Sequence, residues 1–162
     1  MRDTASLLAR RLTAAGLTVA AAESLTGGRV AAALTRRPGS SAFFLGSVVA
    51  YANEVKIKLL DVPEAVLSEH GAVSEACARA MAQGVRRRLG ARLAVASTGI
   101  AGPDGGSPAK PLGLVWLAVA GETGLWTAEH RFTGDRRAVT RAATMEALRF
   151  LARIVDITAP GT

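Results

Sequence analysis

Two separate segments of the sequence carry residue types that together could perform nucleophilic catalysis. Ser24 stands in AAESLTGG, residues 21–28, where an apolar run stops and two glycines follow. Lys56 stands in YANEVK, in a chain whose only other lysines are Lys58 and Lys110. A serine attacks a carbonyl when a base takes its proton, and a lysine is a base only where burial or nearby cations keep it neutral. The pair indicates acyl-transfer chemistry, while a helix-capping serine and a solvated lysine remain the alternative.

The residues that flank this serine and lysine extend both groups. Backbone N–H groups from about Thr26 to Gly28 lie at a predicted helix start, where they are unpaired and favour an oxyanion. Thr26 is also a candidate cap for that helix. On the lysine side, Tyr51 and Asn53 lie close enough along the chain to converge with Lys56, since Asn53 precedes it by about one helical turn. The other candidate bases for the serine are Glu23 and Glu54.

Two further segments offer groups for an anionic ligand. TGIAGPDGGSPAKPLG, residues 98–113, holds five of the seventeen glycines, which predicts a loop. Such loops expose backbone N–H groups that bind anions, although a flexible surface loop has the same composition. In FTGDRRAVTR, Asp135 is expected to cap a helix, and Arg136 and Arg141 could reach an anionic substrate. The alternative for these arginines is a solvated basic helix face.

Composition and missing motifs exclude several classes of protein. A single cysteine, Cys77, excludes an internal disulfide, and His70 and His130 lack metal-ligand spacing, so we predict no metal site. The GxxxxGK[ST] and GxGxxG motifs are missing, and we expect no cofactor. The net charge of +7 comes from scattered arginines in a chain with only 4% aromatic residues, which disfavours nucleic-acid binding and fits a small anionic substrate. With no membrane-length apolar run and no signal peptide, we expect a cytoplasmic protein without a membrane partner.

The order of predicted elements indicates the fold. Apolar runs predict buried strands at 17–23 and 92–97, a strand with a bulge at Gly46 within 43–52, and a hairpin formed by 114–121 and 124–132. Amphipathic or capped segments predict helices at 4–15, 27–36, 53–62, 63–71, 75–89 and 136–155. Strands that alternate with helices before one hairpin predict a single-domain three-layer α/β/α sandwich with a mixed, mostly parallel sheet.

Taken together, five segments resemble one known family. AESLTGG, VVAYANEVK, HGAVSE, STGIAGPDGG followed by KPLG, and FTGDR occur in the order found in the C-terminal domain of the CinA competence/damage-inducible protein family. The similarity runs from about residue 4 to residue 155. Each motif alone is weak, but five in the same order are specific. The family includes stand-alone nicotinamide-nucleotide amidohydrolases, and we expect this chain to be of that type.

The resemblance implies hydrolysis of the carboxamide of nicotinamide mononucleotide to nicotinate mononucleotide and ammonia by a Ser/Lys mechanism. It makes Ser24 the nucleophile, Lys56 the base and Tyr51 a residue that orients or relays the proton. We expect the Gly102–Gly106 loop and Arg141 to bind the phosphate, with Lys110 as a further candidate. Glu23 either offsets the positive charge of the nicotinamide ring or anchors the turn at the serine. The candidate substrate-binding residues are Glu23, Thr26, Gly27, Gly28, Asn53, Thr98, Gly99, Gly102, Gly105, Gly106 and Arg141.

The resemblance also bears on assembly and on the alternative function. Members of the family tend to form dimers, so we expect a homodimer to which the short helices at 53–69 contribute. The expected partner is a small pyridine nucleotide. The alternative is a non-catalytic nucleotide-binding or protein-interaction module of the competence or DNA-damage response, in which a lysine with a lowered pKa would serve no purpose.

Overall fold

Strands and helices alternate along the part of the chain that the structure describes. The structure is a computed structural model that describes residues 2–158, with side chains from residue 4 onward. The strands are β1 (Val19–Glu23), β2 (Phe44–Val49), β3 (Leu93–Gly99), β4 (Leu114–Ala120) and β5 (Leu125–Arg131). The helices are α1 (Arg2–Ala14), α2 (Arg29–Leu34), α3 (Asn53–Leu60), α4 (Glu64–His70), α5 (Glu75–Leu89) and α6 (Arg136–Thr158), with a 3-10 turn at Ser40–Ala42.

The strands form one mixed sheet in the order β2-β1-β3-β4-β5. Strand β1 pairs in parallel with β2 and β3, while β4 is antiparallel to both β3 and β5. Four strands therefore point in one direction and β4 opposes them, which confirms the predicted mixed sheet. The register of β1 and β2 shifts between Val19 and Ala20, so that Leu45 is bypassed beside Gly46, at the position of the predicted bulge.

Helices cover both faces of the sheet, because side chains alternate along each central strand. Val19 and Ala21 of β1 belong to the core beneath α1, α2 and α6, whereas Ala20 and Ala22 belong to the core beneath α5. The α5 face of the central strands consists of alanines, namely Ala20, Ala22, Ala94, Ala96, Ala118 and Ala120. The three-layer α/β/α architecture is as predicted, and the alanine face lets α5 pack close to the sheet.

Helix α3 also lies close to α5. A Cβ atom built on Gly84 of α5 would stand 1.8 Å from the carbonyl oxygen of Leu60, the last residue of α3. Only glycine permits this approach, since any larger side chain would overlap the α3 backbone. The contact fixes α3, and Lys56 within it, against the α5 face of the sheet.

One edge of the sheet receives every segment that the sequence singled out. Strands β1, β2 and β3 end at this edge, where they are followed by Ser24, by Ala50 and Tyr51, and by the loop 100–113. Strand β5 ends at the same edge and leads to the start of α6. Ligands of α/β proteins bind at the carboxyl ends of parallel strands, so the topology gathers the candidate residues where a site is expected.

Several element boundaries differ from the sequence prediction. Helix α2 begins at Arg29 rather than Gly27, since Gly27 and Gly28 have positive φ angles of 54° and 89°. Strand β2 covers Phe44–Val49 only, and α6 extends beyond Val155 to Thr158. Strand β3 continues to Gly99, so the predicted loop begins at residue 100. The hairpin at Gly121–Gly124 and helix α5 lie where the sequence predicted them.

Candidate active site

Ser24 and Lys56 meet at the end of β1. The Nζ atom of Lys56 lies 3.4 Å from Oγ of Ser24, within hydrogen-bond distance. Ser24 is held by the sheet, because its N–H donates to the carbonyl oxygen of Ser97 at 3.0 Å. Ser24 retains 9% exposure, whereas Lys56 is 1% exposed. The serine can therefore be reached from solvent while the lysine lies behind it, which is the arrangement that a nucleophile and its base require.

The surroundings of Lys56 suit a neutral amine. Its Nζ donates to the carbonyl oxygens of Ala50 at 2.9 Å and Tyr51 at 3.1 Å. A neutral amine has two N–H bonds and one lone pair, so these two carbonyls satisfy both N–H groups and leave the lone pair for the Ser24 hydroxyl. Burial lowers the pKa of Lys56 from 10.5, while the negative charges of Cys77, in its thiolate form only, and of Glu54 act in the opposite direction. Burial also raises the pKa of Cys77 to about 11, so its thiol stays uncharged at neutral pH and leaves Lys56 without a buried anionic partner.

Glu23 caps helix α2. Its buried carboxylate accepts from the backbone N–H groups of Gly28 at 3.0 Å, Val30 at 3.1 Å and Ala31 at 2.8 Å. A further contact of 3.4 Å comes from Oγ of Ser47. Neither Ser24 nor Thr26 is the cap, which answers the alternative that the sequence left open for Ser24. These contacts make Glu23 the anchor of the Ser24 turn rather than a surface for the substrate.

The donors expected for an oxyanion are partly engaged. The N–H of Gly27 donates to the carbonyl oxygen of Ser24 at 3.1 Å, and that of Gly28 donates to Glu23. Both were predicted as donors to substrate, but a tight turn and the cap of α2 use them instead. No hydrogen bond within residues 2–158 engages the N–H groups of Leu25 and Thr26. These two groups, directly after Ser24, are the donors left for an oxyanion.

Tyr51 contributes to the site in two ways. Its carbonyl oxygen accepts from Lys56, while its hydroxyl accepts from Nη2 of Arg136 at 2.7 Å. The same guanidinium donates from Nη1 to the carbonyl oxygen of Gly102 at 2.9 Å. Arg136 therefore joins the segment after β2 to the loop after β3. Among the described residues, no hydrogen bond joins the Tyr51 hydroxyl to Lys56 or Ser24. The expected proton relay through that hydroxyl is therefore not supported by a direct hydrogen bond.

A cavity of about 520 Å³ opens beside the Ser24 turn. Leu25, Gly27 and Tyr51 line one side, and the start of α6 lines the other. The charged residues that line the cavity are three arginines and one aspartate, namely Arg29, Arg136, Arg137 and Asp135. A cavity of this size, with cations along one wall, can hold a small phosphorylated substrate whose reactive end faces Ser24.

Arg141 lies elsewhere. It follows Arg136 by five residues, so it projects from a different side of α6 and lines a separate cavity with Arg36 and Thr144. No described hydrogen bond joins Arg141 to the Gly102–Gly106 loop, and Arg136 instead makes the contact to Gly102, so phosphate binding by Arg141 together with this loop stays a prediction. Lys110 donates to the carbonyl oxygen of His70 and so ties the loop to the end of α4.

The other predicted substrate-binding residues divide into buried and exposed ones. The hydroxyl of Thr26 is paired with Oγ of Ser97 at 2.7 Å, and that of Thr98 donates to the carbonyl oxygen of Ala72 at 2.7 Å. Both threonines are essentially unexposed, so they support the turn rather than contact a ligand. A Cβ atom on Gly99 would stand 2.7 Å from the carbonyl oxygen of Leu114, which makes this glycine a packing requirement. Asn53, Gly105 and Gly106 are exposed, and no described hydrogen bond joins them to Ser24 or Lys56.

Arg29 and Arg137 are the residues that the sequence interpretation missed. Both line the cavity beside Ser24; Arg29 directly follows the AESLTGG segment, and Arg137 lies within FTGDRRAVTR between the two arginines that were considered. Their position relative to Ser24 follows from the packing of α2 against α6, which brings together residues more than a hundred positions apart. The available signal was the arginine excess, and composition does not say which arginines share a cavity.

Two classes of feature are missing from residues 2–158. No group of three His, Cys, Asp or Glu side chains could hold a metal ion there. None of the helices in that part of the chain combines the length and apolar character that a membrane-spanning segment requires.

Comparison with known proteins gives one consistent result. A model of the CinA C-terminal domain matches residues 1–155. A CinA-like protein of Geobacter sulfurreducens is 51% identical over 151 residues, which cover 93% of this chain and 36% of that protein. The chain thus spans about a third of the length of the curated relatives it matches.

Solved structures agree with the sequence matches. A CinA superfamily protein from Klebsiella pneumoniae superimposes with a TM-score of 0.93 at 38% identity, covering 96% of this chain and 98% of that one. A competence/damage-inducible protein from Agrobacterium tumefaciens gives a TM-score of 0.92 at 40% identity, covering 96% and 94%. At these identities, the agreement extends from the fold to the family.

Proposed function

Because the chain belongs to the CinA C-terminal domain family, we propose that it is a Ser/Lys amidohydrolase that converts nicotinamide mononucleotide to nicotinate mononucleotide and ammonia. The observation that carries the proposal is the placement of Lys56. This lysine is buried, has a lowered pKa, donates to two carbonyl oxygens and lies within reach of Ser24. A pocket that only binds a ligand needs no such amine, since burying an ionisable group without a task costs stability.

The first half of the reaction acylates the serine. Neutral Lys56 accepts the proton of the Ser24 hydroxyl as Oγ attacks the carboxamide carbon. The oxyanion that forms is stabilised by the unengaged N–H groups of Leu25 and Thr26. The tetrahedral intermediate collapses when Lys56 returns the proton to the amide nitrogen, the C–N bond breaks and ammonia leaves. The nicotinoyl group then remains on Ser24 as an ester.

The second half of the reaction restores the enzyme. A water molecule enters the position of ammonia, gives its proton to Lys56 and attacks the ester carbonyl. The intermediate collapses as Lys56 returns that proton to Oγ, which releases the carboxylic acid and regenerates Ser24. One water is consumed and one ammonia is formed, and neither a metal nor a redox cofactor takes part in any step.

The rest of the substrate is held by the cavity beside the Ser24 turn. We assign its phosphate to Arg136 and its neighbours Arg29 and Arg137, which replace Arg141 of the sequence interpretation. Arg136 is already held by Tyr51 and Gly102, so it needs little reorganisation to bind an anion. The apolar side chain of Leu25, at the wall next to Ser24, can contact the pyridine ring.

Ammonia release from nicotinamide mononucleotide by the purified chain tests the proposal. Ser24→Ala should lower kcat on the order of 10⁴-fold or more, because it removes the group that forms the covalent bond. Ser68→Ala, which removes an exposed hydroxyl on α4, is the matched control and should leave turnover unchanged. The Ser24 variant should melt close to the parent, since the one described hydrogen bond of its side chain is the 3.4 Å contact with Lys56.

Two results would contradict the proposal, each at a different point. Near-normal turnover by Ser24→Ala would exclude the covalent mechanism while leaving the activity in place. A parent chain that binds nicotinamide mononucleotide but releases no ammonia would instead favour the non-catalytic nucleotide-binding module.

A further inference from the structure

A second cavity lies in the groove between α2 and α6. Its volume is about 280 Å³, and four arginines surround it. Arg29 opens α2 and Arg36 follows its end, while Arg137 and Arg141 stand one turn apart on α6. We call this cavity the arginine groove. Its remaining lining consists of small uncharged side chains, namely Ala32, Ala33 and Thr144.

The four arginines line the groove without an acidic counterion in the described part of the chain, and Nη1 of Arg29 donates to the carbonyl oxygen of Thr26 at 3.1 Å. No carboxylate within the described residues lies within 4.0 Å of any of their guanidinium groups. Elsewhere on the described surface, ion pairs with Asp or Glu are made by Arg11, Arg79, Arg88, Arg92, Arg131, Arg149 and Arg153. Like charges gathered around a small cavity repel one another, and an anion bound between them removes that repulsion.

Two arginines of the groove stand at helix starts, Arg29 as the first residue of α2 and Arg137 as the second of α6. A helix dipole disfavours a cation there, and the carboxylates of Glu23 and Asp135, which accept N–H groups at these two helix starts, offset it. Arg11 of α1 and Arg86, Arg87 and Arg88 of α5 occupy the last turns of their helices, where the dipole favours them. The arginines of the groove thus have no acidic partner among the described residues, and a bound anion would supply one.

We propose that the arginine groove binds a small ligand with two or more adjacent phosphate groups, such as inorganic pyrophosphate or a nucleoside di- or triphosphate. Four guanidinium groups exceed the charge of a single phosphate and match that of a diphosphate or triphosphate. Their planar forks suit phosphate oxygens. The groove lies between two helices and does not form a long basic stripe on the surface. This shape favours a compact ligand over a nucleic-acid strand.

The groove is distinct from the position of the reacting carboxamide. The groove shares Arg29 and Arg137 with the cavity beside the Ser24 turn. Its residues Arg36, Arg141 and Thr144 do not line that other cavity. The two cavities overlap at Arg29 and Arg137, which the proposed function assigns to the nucleotide phosphate. The proposal is therefore tested at Arg36 and Arg141, which line only the groove, and by binding of pyrophosphate, which is measured without turnover.

Calorimetric titration of the whole chain with pyrophosphate tests the proposal. The variant is Arg36→Gln combined with Arg141→Gln, and orthophosphate serves as the comparison ligand. We expect the parent to bind pyrophosphate at least roughly tenfold more tightly than orthophosphate, and the double variant to lose at least roughly tenfold in affinity. Arg86→Gln combined with Arg87→Gln removes the same charge from α5, in the opposite helix layer, and should bind like the parent.

Three results would overturn the proposal. They are a folded parent that does not bind pyrophosphate, a groove variant with unchanged affinity, and equal losses in the groove and α5 variants. An oligonucleotide that binds more tightly than pyrophosphate and depends on Arg36 and Arg141 would assign the groove to nucleic acid instead. Both groove substitutions alter exposed side chains, so the double variant should have the same Tm as the parent. If its Tm is lower, the Arg36→Gln and Arg141→Gln single variants are titrated in its place.

Discussion

Replacing Glu23 with glutamine tests whether this buried carboxylate holds the Ser24 turn. The carboxylate accepts three backbone N–H groups at the start of α2, and Oε2 alone accepts those of Gly28 and Val30. A glutamine of the same shape has one oxygen and one NH₂ group. If the oxygen takes the place of Oε2, the NH₂ group faces the N–H of Ala31, which now lies 2.8 Å from Oε1.

The expected cost of Glu23→Gln follows from these contacts. One buried N–H loses its acceptor and meets another donor, which costs roughly 1–3 kcal/mol, and two hydrogen bonds lose the added strength of a charged acceptor. We expect a total near 3 kcal/mol. For a chain of this length, that loss corresponds to a fall in Tm of about 6–12 °C.

Thermal unfolding and steady-state kinetics together decide the role of Glu23. We expect the fall in Tm to accompany a lower kcat, because the turn that carries Ser24 and its N–H donors loosens. Glu64→Gln, an exposed substitution in the first turn of α4, should change neither quantity. An unchanged Tm with a raised KM for nicotinamide mononucleotide would refute the reasoning, since it would mean that Glu23 acts on the charged ring rather than on the fold.

Two further predictions concern the base and the phosphate. Because only neutral Lys56 accepts a proton, kcat/KM should rise with pH through the lowered pKa of this lysine. Glu54→Gln removes a charge that raises this pKa, so the rise should move to lower pH, whereas the control Glu64→Gln should not move it. An unmoved profile for Glu54→Gln would mean that Glu54 does not act on the lysine. Arg136→Lys should lower kcat/KM roughly tenfold or more, because a single ammonium cannot contact both Tyr51 and Gly102 as the two guanidinium nitrogens do. Arg149→Lys is the matched control. If the Arg136→Lys variant has the same kcat/KM as the parent, the phosphate binds elsewhere.

The fold could be predicted from the sequence because each element carries its own local signal. Alternating strands and helices, the turn at Gly121–Gly124 and the Ser74 cap of α5 are all readable within a short window. The predicted start of α2 at Gly27 was wrong, because Gly27 and Gly28 form the turn before the helix rather than its first residues. Their positive φ angles belong to a turn that the Glu23 carboxylate stabilises, and this contact is not visible in the sequence pattern.

The site residues that directly follow a strand could be predicted from the sequence. Those whose position depends on how helices pack against each other could not. Ser24 and Lys56 follow adjacent parallel strands, so topology alone brings them to the same edge of the sheet. The distinction between Arg136 and Arg141 depends on the rotation of α6 about its axis, which the hydrophobic pattern fixes only approximately. Thr26 and Thr98 look like ligand-binding residues by type, and only their burial against Ser97 and Ala72 shows that they are structural.

The packing of small residues connects the fold to the chemistry of Lys56. The alanine face of the sheet and Gly84 let α5 and α3 approach so closely that the lysine amine is removed from water. This burial is the largest cause of its lowered pKa, and it has a consequence for stability. Between the lowered pKa and 10.5, the unfolded chain binds a proton that the folded chain does not, so stability should rise with pH in that range. The small residues of this packing thus favour the neutral form of Lys56, and the same burial makes the fold less stable as the pH falls through that range.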